Sequence, residues 1–524
     1  MKQFIKVLPI ALLTVMGSVM AADTVGRTFF LGNEGRTISN GVIANAGRTH
    51  LPDQDAFNGV FSVQQHYSQN FNQNKIGNYL FFNGTNSMIV RGTVNAAALP
   101  TDIFAPNLSI GGVTYNSTIT VNPSVSAATT DLRLAVGLDE FVQGLHFNVS
   151  LPIVWTKWDA KLTETVTTAA GVFANETVNW FSNAGGEAST YANAVAAFRG
   201  NLTTTPGAGG TTVSETMNYG KLDGSRSETS VGNTVVELGY DFICRDNAHL
   251  AVGLHGLFNG GAKSDAVYMF EPSIGTAGRH GVGATVDGHL RLYEGETDDV
   301  HFTGYLNAQI THLFDATMRR SYDSTRHGVG SRYKMVKVGQ TIAFVAANSH
   351  NANYINYSSL RAKIGIDVMY DATLMVRYQN GGLCCDLGYQ AWGHSAEKHK
   401  GWVDTYTTSI LGAIAATTQT ADWANANIAR ISLDASITGT QPGGTTAATG
   451  VAATATNVLS LADLNINSGL NPSAMTNTVF GNIGYEWLDS DWRPFIGAGA
   501  AGEFANNNTA FDQWHVFVNG GVSF

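Results

Sequence analysis

From position 282 to 292 the even residues are Val282, Ala284, Val286, Gly288, Leu290 and Leu292, while the odd ones include Thr285, Asp287, His289 and Arg291. Successive side chains of a β-strand point to opposite faces, so this stretch makes a ribbon with one oily and one ionisable side. The pattern returns at 132–138, 234–242, 300–314 and 360–368, where the polar side carries Arg133, Glu237, Asp241, His301, Arg361, Lys363 and Asp367. A helix has no two-residue period, so the chain is expected to be all-β. Two architectures satisfy such ribbons: a soluble sandwich, or a barrel with hydrocarbon outside and water inside.

Connection lengths separate the two. Counting from Thr129, tight turns near 139–140, 245–247, 295–298, 371 and 489–491 alternate with long connections at 156–230, 259–280, 316–357 and 391–476. Outer-membrane barrels sort their connections in this way, with short periplasmic turns and long extracellular loops; sandwiches rarely do. About eleven strands run from Thr129 to Phe524, and 57–121 must add one or three (57–71, 87–92, 113–121) to make the count even. The expected fold is therefore a transmembrane antiparallel up-and-down β-barrel of about 12–14 strands.

Composition agrees. Only 13% of the 524 residues are charged, Gly numbers 58 and Pro 11, which suits a chain that shows much of its surface to lipid better than one dispersed in water. A formal net charge of -10 argues against nucleic acid as a partner. Lys2 and Lys6 precede an apolar run at 7–19 and the small-residue site Val19-Met20-Ala21, so 1–21 is expected to be a cleaved signal peptide. No later run of about 18 apolar residues offers a spanning helix. The three cysteines, Cys244, Cys384 and Cys385, make neither a disulfide framework nor a metal-ligand spacing.

The last segment sets Trp514, Val516, Val518, Gly520, Val522 and Phe524 against His515, Phe517, Asn519, Gly521 and Ser523. It resembles the terminal strand of Gram-negative outer-membrane β-barrel proteins of the porin-like kind, without matching a particular subfamily. The resemblance implies that Trp514, Val516, Val518, Val522 and Phe524 form the signal read by the barrel-assembly machinery. It also implies residence in the outer membrane after export.

The expected organisation is a signal peptide at 1–21, a periplasmic extension or lumenal plug at 22–56, and the barrel at 57–524. The inward face would carry Arg133, His146, Glu237, Asp241, His249, His255, Asp287, His289, Arg291, His301, Arg361, Lys363, Asp367, Arg377, Asp386 and Glu486. Charges of both signs across a lumen sort solutes by charge and dipole, so the leading reading is a porin-like channel for passive diffusion of small hydrophilic solutes and ions. Arg133, Glu237, Asp241, Asp287, His289, Arg291, His301, Arg361, Lys363 and Asp367 are its pore-lining candidates. The alternative is a lumen whose charges pair and brace it shut, with the barrel anchoring a surface adhesin or structural protein.

Asp287 and His289 share a face, but no hydroxyl is placed into a nucleophile–base relation, and no His, Asp or Glu group has metal-site spacing. Neither catalysis nor a cofactor is expected. The expected partners are outer-membrane lipid, the assembly machinery, small solutes or ions, and a second copy in a homo-oligomer. Loop tracts such as 438–457, rich in Thr, Ala and Gly, cannot build a core.

Overall fold

The computed structural model describes residues 23–32, 38–50, 58–92, 103–108, 110, 114–170, 188–201, 203–205, 216–261, 263–295, 300–325, 328–339, 349–405, 461–490 and 492–524. The expected signal peptide at 1–21 and the tract 438–457 lie outside the described residues.

Twelve of the described strands close into one antiparallel barrel. In chain order they are β1 Asn58–Phe71, β2 Ser124–Gly137, β3 Leu145–Asp159, β4 Asn233–Arg245, β5 Ala248–Asn259, β6 Gly281–Glu294, β7 Val300–Leu313, β8 Met369–Asn380, β9 Leu383–His394, β10 Ala474–Glu486, β11 Pro494–Ala505 and β12 Asp512–Ser523. Each pairs with the next, and β12 returns to β1 with Val60 opposite Ser523 and Phe71 opposite Asp512. β3 meets β4 only over its first residues, while its far half, from Ile153 to Asp159, takes the short strand Ser225–Val231. Closure pairs the backbone groups that an open sheet edge would expose to hydrocarbon. Among the described residues no helix is long and apolar enough to cross a membrane.

The alternation resolves as expected in β4 to β7. Leu238, Tyr240, Leu254, Val286, Leu292 and Ile310 stand exposed on the outside, while Glu237, His249, His255, Thr285 and Thr311 are buried on the inside. β12 does the same, with Trp514, Val516, Val518 and Phe524 exposed outward. The ring closes at Gly59, whose N–H donates to the Phe524 carbonyl at 2.8 Å and whose carbonyl accepts from the Phe524 N–H at 2.9 Å. A Cβ on Gly59 would stand 2.6 Å from the Ala135 carbonyl and 2.9 Å from the Phe524 ring. Gly59→Val should therefore cost about 1–3 kcal/mol by overpacking the seam. The measure is the fraction of refolded barrel that resists unfolding in detergent; a variant as resistant as the parent would show that the seam tolerates a side chain.

One hairpin differs from the sequence reading. Asp371 is not a turn but an interior residue of β8; the turn lies at Gly381-Gly382, with Gly381 at φ 55°. The segment 360–368 is not a barrel strand. Ser359–Ile366 pairs with Ala316–Ser321 and Glu397–Trp402 in a separate three-stranded sheet. Its oily residues Ala362, Ile364 and Ile366 are buried in protein cores, and Arg361 and Lys363 face outward. Beyond the bilayer the outer side of a sheet meets water, so the apolar face turns inward; the period of two is the same in both settings.

Of the three N-terminal candidates only 58–71 joins the barrel. Ser87–Arg91 and Asn116–Val121 pair with each other in a four-stranded sheet completed by Ile103–Phe104 and Leu162–Thr168. Around this sheet the long connections do build a core: Tyr79, Val90, Tyr115, Ile119, Trp158, Phe198, Phe270 and Phe511 are buried together at the long-loop end.

Candidate functional site

The lumen is occupied. Of the chain that precedes β1, residues 23–32 lie at the long-loop end of the lumen and residues 38–50 lie within it towards the short-turn end. At the first end the Thr24 N–H donates to Asn508 Oδ1 at 2.8 Å, the Gly26 N–H to the Phe81 carbonyl at 2.7 Å and the Thr28 N–H to the Ser468 carbonyl at 3.0 Å. Phe30 then enters the loop core, its ring 4.6 Å from Phe511 and 5.1 Å from Tyr79.

Below it lies the helix α1, Ile38–Asn45. Val42, Ile43 and Ala46 pack on Met375, Phe480 and Phe517, the apolar residues that the inner wall supplies at this level. Gly41 meets Arg133: a Cβ there would lie 2.2 Å from the guanidinium. Two further arginines take up the orphan carbonyls at the end of α1. Arg48 donates to Ile43 at 3.2 Å and Ala44 at 2.9 Å, and Arg377 of β8 donates to Ile43 at 3.1 Å and Ala46 at 2.5 Å. Positive charge at a helix C-terminus also complements the helix dipole. Each arginine is neutralised by the wall, Arg48 by Glu486 at 3.0 Å and Arg377 by Asp386 at 2.6 Å.

At the short-turn end the segment finishes in a cluster of histidines and carboxylates. His50 Nδ1 sits 2.9 and 3.0 Å from the two Asp241 oxygens. Its ring stacks on His249 with centroids 4.2 Å apart and meets His146 edge-on at 4.6 Å. His249 Nε2 lies 3.1 Å from Asp287, whose other oxygen accepts from Asn307 at 2.8 Å, and His249 Nδ1 is in hydrogen-bond contact with His289. His50, Asp241 and His249 present one potential ligand atom each, all within 4.8 Å of one another.

The pore-lining candidates divide accordingly. Arg133 faces the lumen and pairs with Asp131 at 2.8 Å; Glu237 accepts from Thr285 at 3.2 Å; Asp241, Asp287 and His289 belong to the histidine cluster. Arg291 pairs with Glu294 at 3.0 Å beside a short turn, and His301 lies in register between Glu294 and Gln379. Arg361, Lys363 and Asp367 are outside the barrel: Arg361 pairs with Asp404 at 2.7 Å, and Asp367 with Lys398 and Lys400. Arg48 and His50 are absent from the sequence reading of the site, since they lie in a Gly- and Asn-rich segment with no strand or helix period. Their type and closeness in the chain were the available signal.

Closed strand pairing and an apolar outer wall around an ionisable interior meet the requirements for crossing a bilayer with strands. The chain folds as an outer-membrane-type β-barrel. No protein-family model matches it, and no curated protein matches it either. Among solved structures it is similar to an outer-membrane channel of Pseudomonas putida F1, at 9% identity over 91% of this chain and 98% of that one, with a TM-score of 0.37. A Pseudomonas aeruginosa FadL homologue gives 8% identity, 96% and 99% coverage and a TM-score of 0.27. The translocator domain of the autotransporter NalP from Neisseria meningitidis gives 8%, 93% and 94%, and 0.25. These scores are low, and the barrel assignment stands on the strand pairing and the outward apolar face.

Proposed function

We propose that this chain is an outer-membrane channel of a Gram-negative bacterium for small hydrophilic solutes or ions, closed at rest by its own residues 23–50. In this reading 1–21 is cleaved on export and the assembly machinery reads the strand ending at Phe524. The observation that carries it is the character of the plug contacts. A wall carrying Arg133, Glu237, Asp241, Asp287, Arg377 and Glu486 is costly to bury dry, and is suited to a lumen that fills with water when the segment leaves. The lower part of the plug, around α1, is held by polar tethers and one small apolar patch, while Phe29, Phe30 and Leu31 anchor its upper end in the loop cores.

The experiment compares the mature protein with a variant lacking residues 23–50, each refolded and placed in a planar bilayer. The full chain should conduct rarely and in brief openings, and the deletion variant steadily, with ion preference altered by Arg133→Ala. A deletion variant that folds as a barrel and stays silent would overturn the channel reading. It would favour an anchor for a surface adhesin or structural protein, a second reading supported by the large buried core of the long connections.

A further inference from the structure

We propose that His50, Asp241 and His249 form a site for one borderline divalent transition-metal ion, such as Zn2+, which when bound fastens the N-terminal segment to the barrel wall. The inference goes beyond the channel reading and holds whether or not the barrel conducts. Its ligands come from three elements: His50 from the lumenal segment, Asp241 from β4 and His249 from β5, with Asp241 opposite Ala251 in the pairing of those two strands. Imidazole nitrogen with one carboxylate is the donor set of tetrahedral zinc sites, and hard cations that want only oxygen are disfavoured by it.

Three observations besides the residue types point to a ligand. A small, partly open pocket of about 10 Å³ borders His50, His146, Asp241 and Cys244, on the side of the cluster away from His249, and is the size of a single small occupant. His146 is 5% exposed, and its Nδ1, 3.7 Å from Asp241 Oδ2, has no hydrogen-bond partner among the described residues, which leaves a buried nitrogen aimed at the carboxylate of the site, beside the three-ligand group. Finally, His249 leans on Asp287, and Asp287 on Asn307. A carboxylate behind a histidine fixes the ring orientation and raises its basicity as a ligand.

With the donor atoms within 4.8 Å of one another, contraction by up to about 1.5 Å brings them to the spacing of about 3.3–3.6 Å that tetrahedral bonds of about 2.0–2.2 Å require. The ring of His50 must turn out of its parallel stack on His249 to aim a nitrogen at the common centre. With Nε2 of His249 held by Asp287, its ligand atom is Nδ1, which exchanges the contact with His289 for the ion. Without metal the same groups are a hydrogen-bonded brace, and the ion converts the brace into a clamp.

The test uses untagged full-length mature protein in detergent, stripped with a chelator and titrated with Co2+. One equivalent should bind with the visible absorption of a four-coordinate site, and Zn2+ should displace it. His50→Ala and His249→Gln should each weaken Co2+ binding by about 100-fold or more, and Asp287→Asn by about 10–100-fold through the ring it orients. Zn2+ should also slow proteolysis of the N-terminal segment in the parent and not in His50→Ala. His50 is outside the barrel wall, so His50→Ala remains folded and keeps the test decisive. Absence of the absorption band, or a band that survives in His50→Ala, overturns the site. A silent barrel in the bilayer experiment leaves these readouts untouched, so the two proposals fail separately.

Discussion

Arg377→Met is expected to free α1 from the lumen wall and to raise channel opening by roughly a hundredfold or more. Arg377 and Asp386 face each other in the β8–β9 pairing, both buried, and the guanidinium binds the carboxylate twice, at 2.6 and 2.9 Å. The same guanidinium holds the Ile43 and Ala46 carbonyls. Methionine fills the volume but leaves Asp386 a buried carboxylate that keeps, among the described residues, the hydrogen bond from Asn482 at 2.9 Å. Removing one member of a buried ion pair costs about 3–5 kcal/mol, because the survivor keeps its charge without a partner.

Two consequences follow for measurement. Thermal unfolding of the barrel in detergent should move down, and single-channel recordings should show longer and more frequent openings. The two hydrogen bonds from Arg377 to the Ile43 and Ala46 carbonyls are charge-assisted, at about 1.5 kcal/mol or more each. At 1.4 kcal/mol per tenfold, a loss of about 3 kcal/mol of docking energy corresponds to a population shift of more than a hundredfold. The double variant Arg377→Met with Asp386→Leu removes both charges. It should regain most of the barrel stability, since an apolar pair of similar volume is often neutral, but it should still open, because Ala46 has lost its arginine donor and Ile43 keeps only that of Arg48. A single variant as stable and as quiet as the parent would show that Arg377 neither braces the wall nor holds α1.

The barrel itself was legible because its code is local. Val286, Leu290 and Leu292 against Asp287, His289 and Arg291 say which side is oily, and that face is oily because it meets lipid along the whole strand. The code does not say what the oily face meets. Ala362, Ile364 and Ile366 obey the same period and face protein, so 360–368 reads as a membrane strand although it belongs to the extramembrane sheet. Asp371 reads as a turn because aspartate is rare in strands. Its carboxylate is satisfied inside the lumen by Gln390, at 2.8 and 2.9 Å, which no local pattern shows.

The occupied lumen is a different kind of fact. His50 meets Asp241 across 191 positions of sequence and Arg48 meets Glu486 across 438. Neither the segment nor its sockets carries a periodic signal that forecasts the other. The inward charges were visible as a set, but whether they face water or one another depends on what enters the barrel. The histidine cluster, scattered over β3, β5, β6 and the lumenal segment, has no spacing for a motif to match.

The upper end of the segment depends on a second buried charge cluster, and Glu397→Gln should unseat it. Arg279, Arg320 and Glu397 have side chains that are at most 1% exposed. Arg279 contacts Glu397 directly, Arg320 lies 3.4 Å from it, and the other carboxylate oxygen accepts the Asn471 N–H at 2.8 Å. Asn471 in turn accepts from the Leu31 N–H at 3.3 Å and from Tyr79 Oη at 2.9 Å, while Arg320 covers the Phe29 ring at 3.3 Å. One carboxylate thus holds two guanidinium groups against the part of the N-terminal segment that carries Phe29 and Leu31. Glutamine keeps the shape and leaves two buried cations without a counter-charge, for a loss of about 3–5 kcal/mol at neutral pH.

Acid distinguishes this from a packing defect. Burial pushes the Glu397 carboxyl up, but Arg279 and then Arg320 outweigh it and hold the group below the ordinary value of 4.5. A carboxylate depressed in the folded state contributes stability that is fully present above its unfolded value and is lost as pH falls through the folded one. The parent should therefore keep this contribution at neutral pH and lose it as pH falls below the ordinary carboxylate value of 4.5, whereas Glu397→Gln has none to lose. Unfolding measured from pH 7 downward should show the two proteins far apart at neutral pH and converging in acid. A gap that stays constant across that range would mean that the glutamine disturbs packing and that the charge of Glu397 is not what seats Phe29 and Leu31.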